Sequence, residues 1–256
     1  MKPRQNLETT ALNPEQNDSA SSHVSEGEFE QILYRVTHDL HGCLRAIRTI
    51  PEWIEDELAE AGTQMPAPAK DLFVMLRTQA RRGDRMLHDL RDYLQVARGG
   101  DPVTWLSLSS VLDAAAECAA LPPAFTVTTA LARDRVFGAS SDMVALFAAL
   151  LSNAVKHHDR TQGQIRITSQ EAGKGLRVRV GDDGPGIAPQ FRERVFELMT
   201  TLKPRDECEG SGVGLALARK IVTHMGGAIR IIDAPGDRGT TVELLLPAAG
   251  SGPAPA

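Results

Sequence analysis

The amino-acid sequence predicts an α+β protein in which a helical hairpin precedes a sheet covered by helices. Apolar residues recur in steps of three and four over residues 28–97, a period typical of amphipathic helices. After Pro102, short alternating stretches are separated by helical segments, a pattern typical of a helix-covered sheet. The chain has 256 residues, of which 42% are hydrophobic, and this length is enough for two domains of ordinary size.

The first helix of the hairpin is predicted from an apolar stripe that begins near Glu28. Pro51 lies inside this stripe and predicts a kink, because proline removes a backbone hydrogen bond. Residues 61–68 contain glycine and prolines that end the helix. The members of the stripe are Phe29, Leu33, Val36, Leu40, Cys43, Leu44, Ile47, Ile50, Ile54 and Leu58.

A second apolar stripe follows and ends at the Gly99-Gly100-Asp101-Pro102 stop signal. One hairpin alone leaves much of both stripes exposed. Pairing with a second copy would bury them in a four-helix bundle, so we expect a homodimer. The members of the second stripe are Leu72, Leu76, Gln79, Gly83, Met86, Leu90, Leu94 and Ala97.

The remaining organisation follows from composition and alternation. We expect polar tails over residues 1–26 and 248–256, the hairpin over 27–100 and the second domain over 104–247. Helices are predicted over 109–121, 142–158 and 212–225, and strands over 124–130, 164–169, 176–180, 228–232 and 240–246.

Composition excludes several classes of protein. The net charge of −5, with no basic stripe, argues against a nucleic-acid partner. The three cysteines, Cys43, Cys118 and Cys208, are too scattered for a disulfide framework or a zinc site. The N-terminus lacks an apolar signal region, and no run reaches the ~18 apolar residues of a membrane span. We therefore expect a cytoplasmic protein with no membrane partner.

The helix predicted over 142–158 carries polar residues suited to a nucleotide's phosphates. Asn153 and Lys156 lie one turn apart on the same face. An amide oxygen suits Mg²⁺ and a lysine suits phosphate, although an ordinary amphipathic helix is the alternative. His157 and His158 are adjacent and point apart by about 100°, so we expect them at the surface rather than as a metal pair.

A second segment combines aspartate and glycines directly after a predicted strand. The carboxylate of Asp182 can accept a hydrogen bond from an exocyclic amine such as that of adenine. Gly184 and Gly186 would let the backbone approach a flat ring. An ordinary Asp-Gly turn is the alternative interpretation.

A third segment places glycines at alternate positions, Gly210, Gly212 and Gly214, before a predicted helix. Free backbone N–H groups and the helix dipole favour a phosphate chain there. The preceding segment is a polar loop rather than a strand, and no GKS or GKT follows. The segment is therefore neither a Rossmann fingerprint nor a Walker A loop.

Taken in order, the segments at Asn153, Asp182 and Gly210 resemble the N, G1 and G2 boxes of two-component histidine kinases. That family's ATP-binding domain has the GHKL (Bergerat) α/β sandwich fold, shared with gyrase, Hsp90 and MutL. Residues 194–199 resemble the F box and residues 37–47 the H box. The segment TLKPRDE is similar to the soluble, phytochrome-type members.

The resemblance implies ATP and Mg²⁺ as cofactors, with His38 as phosphoacceptor and Asp39 as general base. Helical geometry puts His38 about 200° from Val36, on the outer side of the stripe. The resemblance also implies Asn153 as the ligand of Mg²⁺. The residues implied to bind the nucleotide are Asn153, Lys156, His157, Asp182, Gly184, Gly186, Ile187, Lys203, Arg205, Gly210, Ser211, Gly212, Val213, Gly214, Leu215 and Thr240, with Lys203 and Arg205 in a mobile lid.

The expected activity is that of a sensor-less histidine kinase. It would phosphorylate His38 from ATP and transfer the phosphoryl group to a response-regulator aspartate. Its input would come from a separate sensor protein or from a molecule that binds the N-terminal tail. Gly42 stands where the family often has Thr, Asn or Gln, which predicts weak phosphatase activity on the partner.

Two alternatives stay open. The chain is a histidine phosphotransfer protein or pseudokinase with a degenerate ATP domain, or it is an anti-sigma-type Ser/Thr kinase of the same fold. The H-box hairpin counts against the Ser/Thr kinase, and the two intact glycine motifs count against the pseudokinase.

Overall fold

A computed structural model describes residues 26–96, 101–173, 175–202, 210–236 and 238–247. The α+β architecture is confirmed. Apart from Glu26, the two predicted tails lie outside the described residues. The elements are α1 (Glu26–Glu60), α2 (Ala67–Gln95), β1 (Thr104–Leu106), α3 (Leu108–Cys118), β2 (Phe125–Leu131), β3 (Val136–Gly138), α4 (Ser140–Lys156), β4 (Gly163–Ala172), β5 (Gly175–Asp182), α5 (Gly214–His224), β6 (Ala228–Ile232) and β7 (Thr241–Leu246), with 3-10 turns at Pro189–Phe191 and Arg194–Phe196.

Helices α1 and α2 form the predicted hairpin. They approach closely at Gly83, where a Cβ atom would lie 3.0 Å from Cδ1 of Leu44. Nearer the turn, Arg77 donates two hydrogen bonds of 3.0 and 3.1 Å to the carboxylate of Glu55. Helix α1 continues past Pro51 to its end at Glu60, so the proline does not end the helix.

The apolar stripe of α1 stays largely exposed in the single chain. Thr37 and Pro51 are buried within the hairpin, so the face packed on α2 is displaced from the stripe predicted by the sequence. An uncovered apolar face of this length needs another surface to bury it. The stripe residues that are 40–46% exposed are Val36, Leu40, Ile47, Ile50 and Ile54.

The second unit is a five-stranded sheet in the order β2-β4-β5-β7-β6. Strands β2 and β4 run parallel, with Val127 opposite Ile165, and the other neighbours are antiparallel. Successive residues of each strand lie alternately on the core face and on the opposite face, as expected of a half-buried sheet. The core includes the fully buried residues Leu146, Phe147, Ile167, Ile221 and Leu244.

The sheet face opposite the core centres on one buried acid. Glu243 is 1% exposed and accepts hydrogen bonds of 2.9 Å from Arg179 and of 2.6 Å from Arg230. A buried carboxylate needs such partners, since an unpaired charge there would be costly. The guanidinium groups therefore hold Glu243 within this face of the sheet.

A small antiparallel sheet of β1 and β3 was not predicted. Each strand has three residues, which is too short for alternation to be visible in the sequence. The sheet is joined by an edge-to-face contact between Trp105 and Phe137, whose ring centroids lie 5.4 Å apart. This pairing lies where the chain enters the second unit.

Candidate functional site

A cavity of about 1030 Å³ lies between α4, the turn after β5, the segment before α5 and one face of α2. Its volume suits a drug-sized or nucleotide-sized ligand. Lys203, Arg205 and Cys208 fall outside the described residues. The predicted site residues that line the cavity are Asn153, Lys156, His157, Asp182, Gly186, Ile187, Gly210, Ser211, Gly212, Val213, Gly214, Leu215 and Thr240.

Helix α4 presents Asn153 and Lys156 to the cavity. The helix is anchored by its buried face, which includes Leu150 and Leu151. It ends at Lys156, and the backbone N–H of His157 donates to the carbonyl oxygen of Asn153 at 3.1 Å. The side chains of the last helical turn are thus held at the rim of the cavity.

Asp182 ends strand β5 and is fixed by two backbone donors. Its Oδ1 accepts the N–H of Gly184 at 2.9 Å and the N–H of Thr240 at 3.1 Å. Burial raises the pKa of Asp182 above its usual range, although both of these hydrogen bonds act to lower it. Both donors use Oδ1, so the arrangement orients the carboxylate without engaging Oδ2.

Close backbone contacts explain two glycines near Asp182. Gly186 has φ +82°, and a Cβ atom there would lie 2.9 Å from the carbonyl oxygen of Gly239. Gly239 has φ +104°, and a Cβ atom on it would overlap the carbonyl oxygen of Asp182. The two glycines therefore let this turn and the start of β7 touch.

Gly184 is not among the residues that line the cavity, whereas Gly186 is. Gly184 is buried, and a Cβ atom there would lie 2.9 Å from Oδ1 of Asp182 and 3.4 Å from Cδ2 of His158. Its N–H must turn inward to reach Asp182. Its contribution is therefore to the shape of the turn.

The glycine segment before α5 lines the cavity. Gly212 has φ +72°, and a Cβ atom there would lie 2.7 Å from the carbonyl oxygen of Thr200. Oγ of Ser211 accepts the N–H of Val213 at 3.2 Å. Helix α5 begins at Gly214, two residues later than predicted, because residues 210–213 form this turn. A helix start open to a cavity suits a phosphate chain.

His38 lies on the exposed face of α1, as predicted. Its imidazole is 80% exposed, and Nδ1 lies 3.2 Å from Oδ1 of Asp39. An ionised carboxylate can only accept, so Nδ1 of His38 is the donor in this pair. His41, one turn further along α1, is engaged differently, since its Nδ1 donates to the carbonyl oxygen of Thr37 at 2.9 Å.

The cavity borders the hairpin but does not reach His38. The α2 residues that line it are Arg85, His88, Asp89 and Asp92. Burial raises the pKa of Asp92, and the neighbouring His88 opposes that change. His38 is not among the lining residues, so the two parts of the site are separate in this arrangement.

Sequence reasoning missed His158. Its side chain is 1% exposed, and its Nε2 lies 3.1 Å from Oδ1 of Asp183. The expectation of a surface position was wrong for this residue because α4 ends at Lys156, and the helical spacing used for His157 and His158 does not apply. No local pattern in the sequence indicates that His158 pairs with Asp183.

The residues present fit Mg²⁺ only as an ion shared with a ligand. Within the described part of the chain, no group of three or more His, Cys, Asp or Glu side chains could hold a metal. Mg²⁺ in phosphate-handling sites takes few protein ligands and completes its shell with phosphate oxygens and water. The amide oxygen of Asn153 is suited to that limited role.

Sequence comparisons place the second unit in a known family. Residues 138–250 match the family described as histidine kinase-, DNA gyrase B-, and HSP90-like ATPase. The phytochrome-like protein Cph1 of Synechocystis is 26% identical over 227 residues, which is 87% of this chain and 30% of that protein. The sensor-like histidine kinase SenX3 of Mycobacterium tuberculosis is 37% identical over 116 residues, 44% of this chain and 28% of that protein. The chain spans less than a third of these relatives.

Structural comparisons agree with the fold. The mycobacterial sensor histidine kinase MprB matches with a TM-score of 0.50 and 27% identity, covering 57% of this chain and 97% of that one. ShkA in complex with AMPPNP matches with a TM-score of 0.60 and 19% identity, covering 88% of this chain and 47% of that one. In the described ranges, no helix has the length and apolarity needed to cross a membrane.

Proposed function

We propose that the chain acts as a histidine kinase core, which phosphorylates His38 from ATP and passes the phosphoryl group to a response-regulator aspartate. Its match to the histidine kinase-like ATPase family and its similarity to sensor histidine kinases support this proposal. The observation that carries this proposal is the cavity itself. One cavity brings together Asn153, Asp182 and Gly212, which are separated in the sequence.

The cavity residues divide into two ends of a nucleotide site. Asp182 accepts a hydrogen bond from the exocyclic amine of adenine, and Gly186, Ile187 and Thr240 surround the adenine ring. Asp182 is well suited to this because both of its backbone donors use a single oxygen, which leaves the other for the amine.

The phosphates bind at the opposite end of the cavity. The start of α5 offers backbone N–H groups, and Lys156 supplies a positive charge. Asn153 contributes to holding Mg²⁺, which when bound neutralises charge on the phosphates. Lys203 and Arg205 are proposed as further phosphate-binding cations.

At His38, the proposed chemistry uses the pair with Asp39. Nε2 of His38 forms a bond to the γ-phosphorus of ATP, while the bond from that phosphorus to the bridging oxygen breaks and ADP leaves. Asp39 takes the proton from Nδ1, so the phosphorylated imidazole is neutral. In the second step a carboxylate of the response regulator takes the phosphoryl group, the N–P bond breaks and Asp39 returns the proton.

Because His38 does not line the cavity, the catalytic domain must meet it in another arrangement. A homodimer supplies such arrangements, within one chain or between two. The exposed stripe of α1, which includes Val36, Ile47 and Ile54, is proposed as the dimer interface, since its burial would complete a four-helix bundle.

Incubation with γ-labelled ATP tests the kinase reaction. We expect an acid-labile label on the wild-type chain, and no label on His38→Gln or Asn153→Ala. Asp113→Asn is a matched control, because Asp113 is exposed on α3 away from the cavity, and it should label normally. Adding the cognate receiver domain should then move the label from the chain to the receiver.

Other outcomes would favour the alternatives. An acid-stable label that persists in His38→Gln would indicate a Ser/Thr kinase. Absence of labelling together with absence of nucleotide binding would indicate a phosphotransfer protein or pseudokinase.

A further inference from the structure

The end of α4 is tied to the turn that carries Asp182. Nε2 of His158 lies 3.1 Å from Oδ1 of Asp183, and the same oxygen accepts the backbone N–H of Gln164 at 2.7 Å. These donors hold the pKa of Asp183 below its usual range, with the N–H of Gln164 as the largest cause. The carboxylate of Asp183 is therefore an ionised acceptor that joins three segments of the chain.

The imidazole of His158 has one defined orientation. Its Nδ1 accepts the backbone N–H of Arg160 at 3.0 Å, so Nε2 carries the hydrogen that is donated to Asp183. The ring of Phe125 packs edge-to-face on the imidazole, with centroids 5.3 Å apart. Gly163 leaves room for this contact, because a Cβ atom there would lie 2.9 Å from Nε2.

A second connection runs in parallel. Nη2 of Arg238 donates to Oδ1 of Asp159 at 2.6 Å, and its Nε lies 2.9 Å from the carbonyl oxygen of Asp183 and 3.2 Å from that of Gly184. This connection is more exposed than that of His158, since the Arg238 side chain is 38% exposed. The buried imidazole is thus the more rigid of the two supports.

From these contacts we infer that His158 is a positioning residue of the nucleotide site. It holds the turn of residues 182–184 against the end of α4, and so fixes the Asp182 carboxylate relative to Asn153 and Lys156. The inference rests on the proposed function, in which Asp182 binds the adenine amine. His158 itself does not touch the nucleotide.

The consequence is a specific effect on base recognition. A hydrogen bond weakens steeply when its distance and angle leave a narrow range. Without the donor on His158, the turn can shift while the glycine segment before α5 stays in place. Recognition of the purine amine is then lost before binding of the phosphates.

A matched pair of substitutions separates the two hydrogen bonds of His158. In His158→Asn the side-chain oxygen of asparagine can still accept the N–H of Arg160, but no donor of that side chain reaches Asp183. In His158→Gln the far amide nitrogen can donate to Asp183. Affinities are measured for ATP and for purine riboside triphosphate, which has no amine at the 6-position.

We expect the wild-type chain to prefer ATP by about tenfold or more, as for one hydrogen bond to a charged group. His158→Asn should lose most of this preference with little change in affinity for the analogue. His158→Gln should retain it. Thermal melting of each variant confirms that it is folded.

The outcomes distinguish failure of the inference from failure of the proposed function. If His158→Asn keeps the wild-type preference, the inference is wrong. If the wild-type chain shows no preference, the role given to Asp182 is wrong. If His158→Asn does not fold, Asp183→Ala removes the same contact from a side chain that is 42% exposed, and preserved preference there would equally overturn the inference.

Discussion

The backbone N–H of Thr240 donates to Oδ1 of Asp182 at 3.1 Å, although 58 residues separate them in the sequence. A second hydrogen bond runs in the opposite direction, from the N–H of Asp182 to the carbonyl oxygen of Thr240 at 2.9 Å. The start of β7 thereby fixes the carboxylate at the end of β5. A side chain held by backbone on both sides is preorganised for a ligand and does not need to be ordered on binding.

Asp182→Asn should weaken ATP binding by roughly 10–100-fold, equivalent to about 1.5–3 kcal/mol for a hydrogen bond to a charged group. The amide oxygen of Asn can still accept the hydrogen bonds from the N–H groups of Gly184 and Thr240. Its NH₂ group is a donor, however, and cannot accept a hydrogen bond from the adenine amine. Calorimetric titration with ATP measures the change.

The melting temperature of Asp182→Asn without nucleotide should not fall, because the substitution removes a charge whose burial is unfavourable. Asp113→Asn, on the surface of α3, serves as the control for both measurements. A drop in melting temperature with unchanged ATP affinity would assign Asp182 a purely structural role.

On acidification, ATP affinity should begin to decrease at a higher pH than it would if the pKa of Asp182 were that of an ordinary aspartate. The raised pKa of Asp182 means that the folded chain binds this proton more tightly than the unfolded chain. The ionisation therefore costs stability as pH rises from the usual value of about 3.9 through the raised pKa. Nucleotide binding has the opposite dependence, since the ionised form accepts the amine.

The pH effect is measured as the difference between wild type and Asp182→Asn. This subtraction removes the titration of the phosphates, which both proteins share. Parallel affinity curves for the two proteins across the acidic range would contradict the prediction.

Gly239→Ala should lower the free energy of unfolding by about 2–4 kcal/mol, since a strained backbone angle costs about 1–3 kcal/mol and steric overlap adds to it. Gly239 has φ +104°, and a Cβ atom there would overlap the backbone of Asp182. Gly236→Ala is the matched control, because a Cβ atom at Gly236 meets nothing within 4 Å. Chemical unfolding that shows equal losses for both variants would refute this account.

Ile47→Lys should convert the chain to a monomer at micromolar concentration. Ile47 is 40% exposed in the single chain and lies within the stripe proposed as the dimer interface. Burying a lysine there would leave an unpaired charge. Analytical ultracentrifugation measures the change.

Arg45→Gln provides the comparison, because position 45 lies about 200° around the helix from position 47. It should remain dimeric. A wild-type chain that sediments as a monomer would remove the basis of this prediction.

The sequence by itself determined the secondary structure of this protein wherever a local period was long enough to be seen. The alternating run 228–232 was predicted with the bounds of β6, and the heptad-like stripes gave both hairpin helices. Periodicity is a local property, so it is present in the sequence before any tertiary contact forms. The three-residue strands β1 and β3 are too short to carry a period.

Most of the residues that the sequence indicated for a nucleotide line the cavity, because side chains with phosphate-binding and amine-binding chemistry stand in three compact motifs. The contacts among those motifs were decided by the tertiary structure. Gly184 turns inward to Asp182 rather than toward the cavity, and His158 is buried against Asp183. Each contact joins segments whose relative position is set by the sheet register and the end of α4, and no local pattern encodes that geometry.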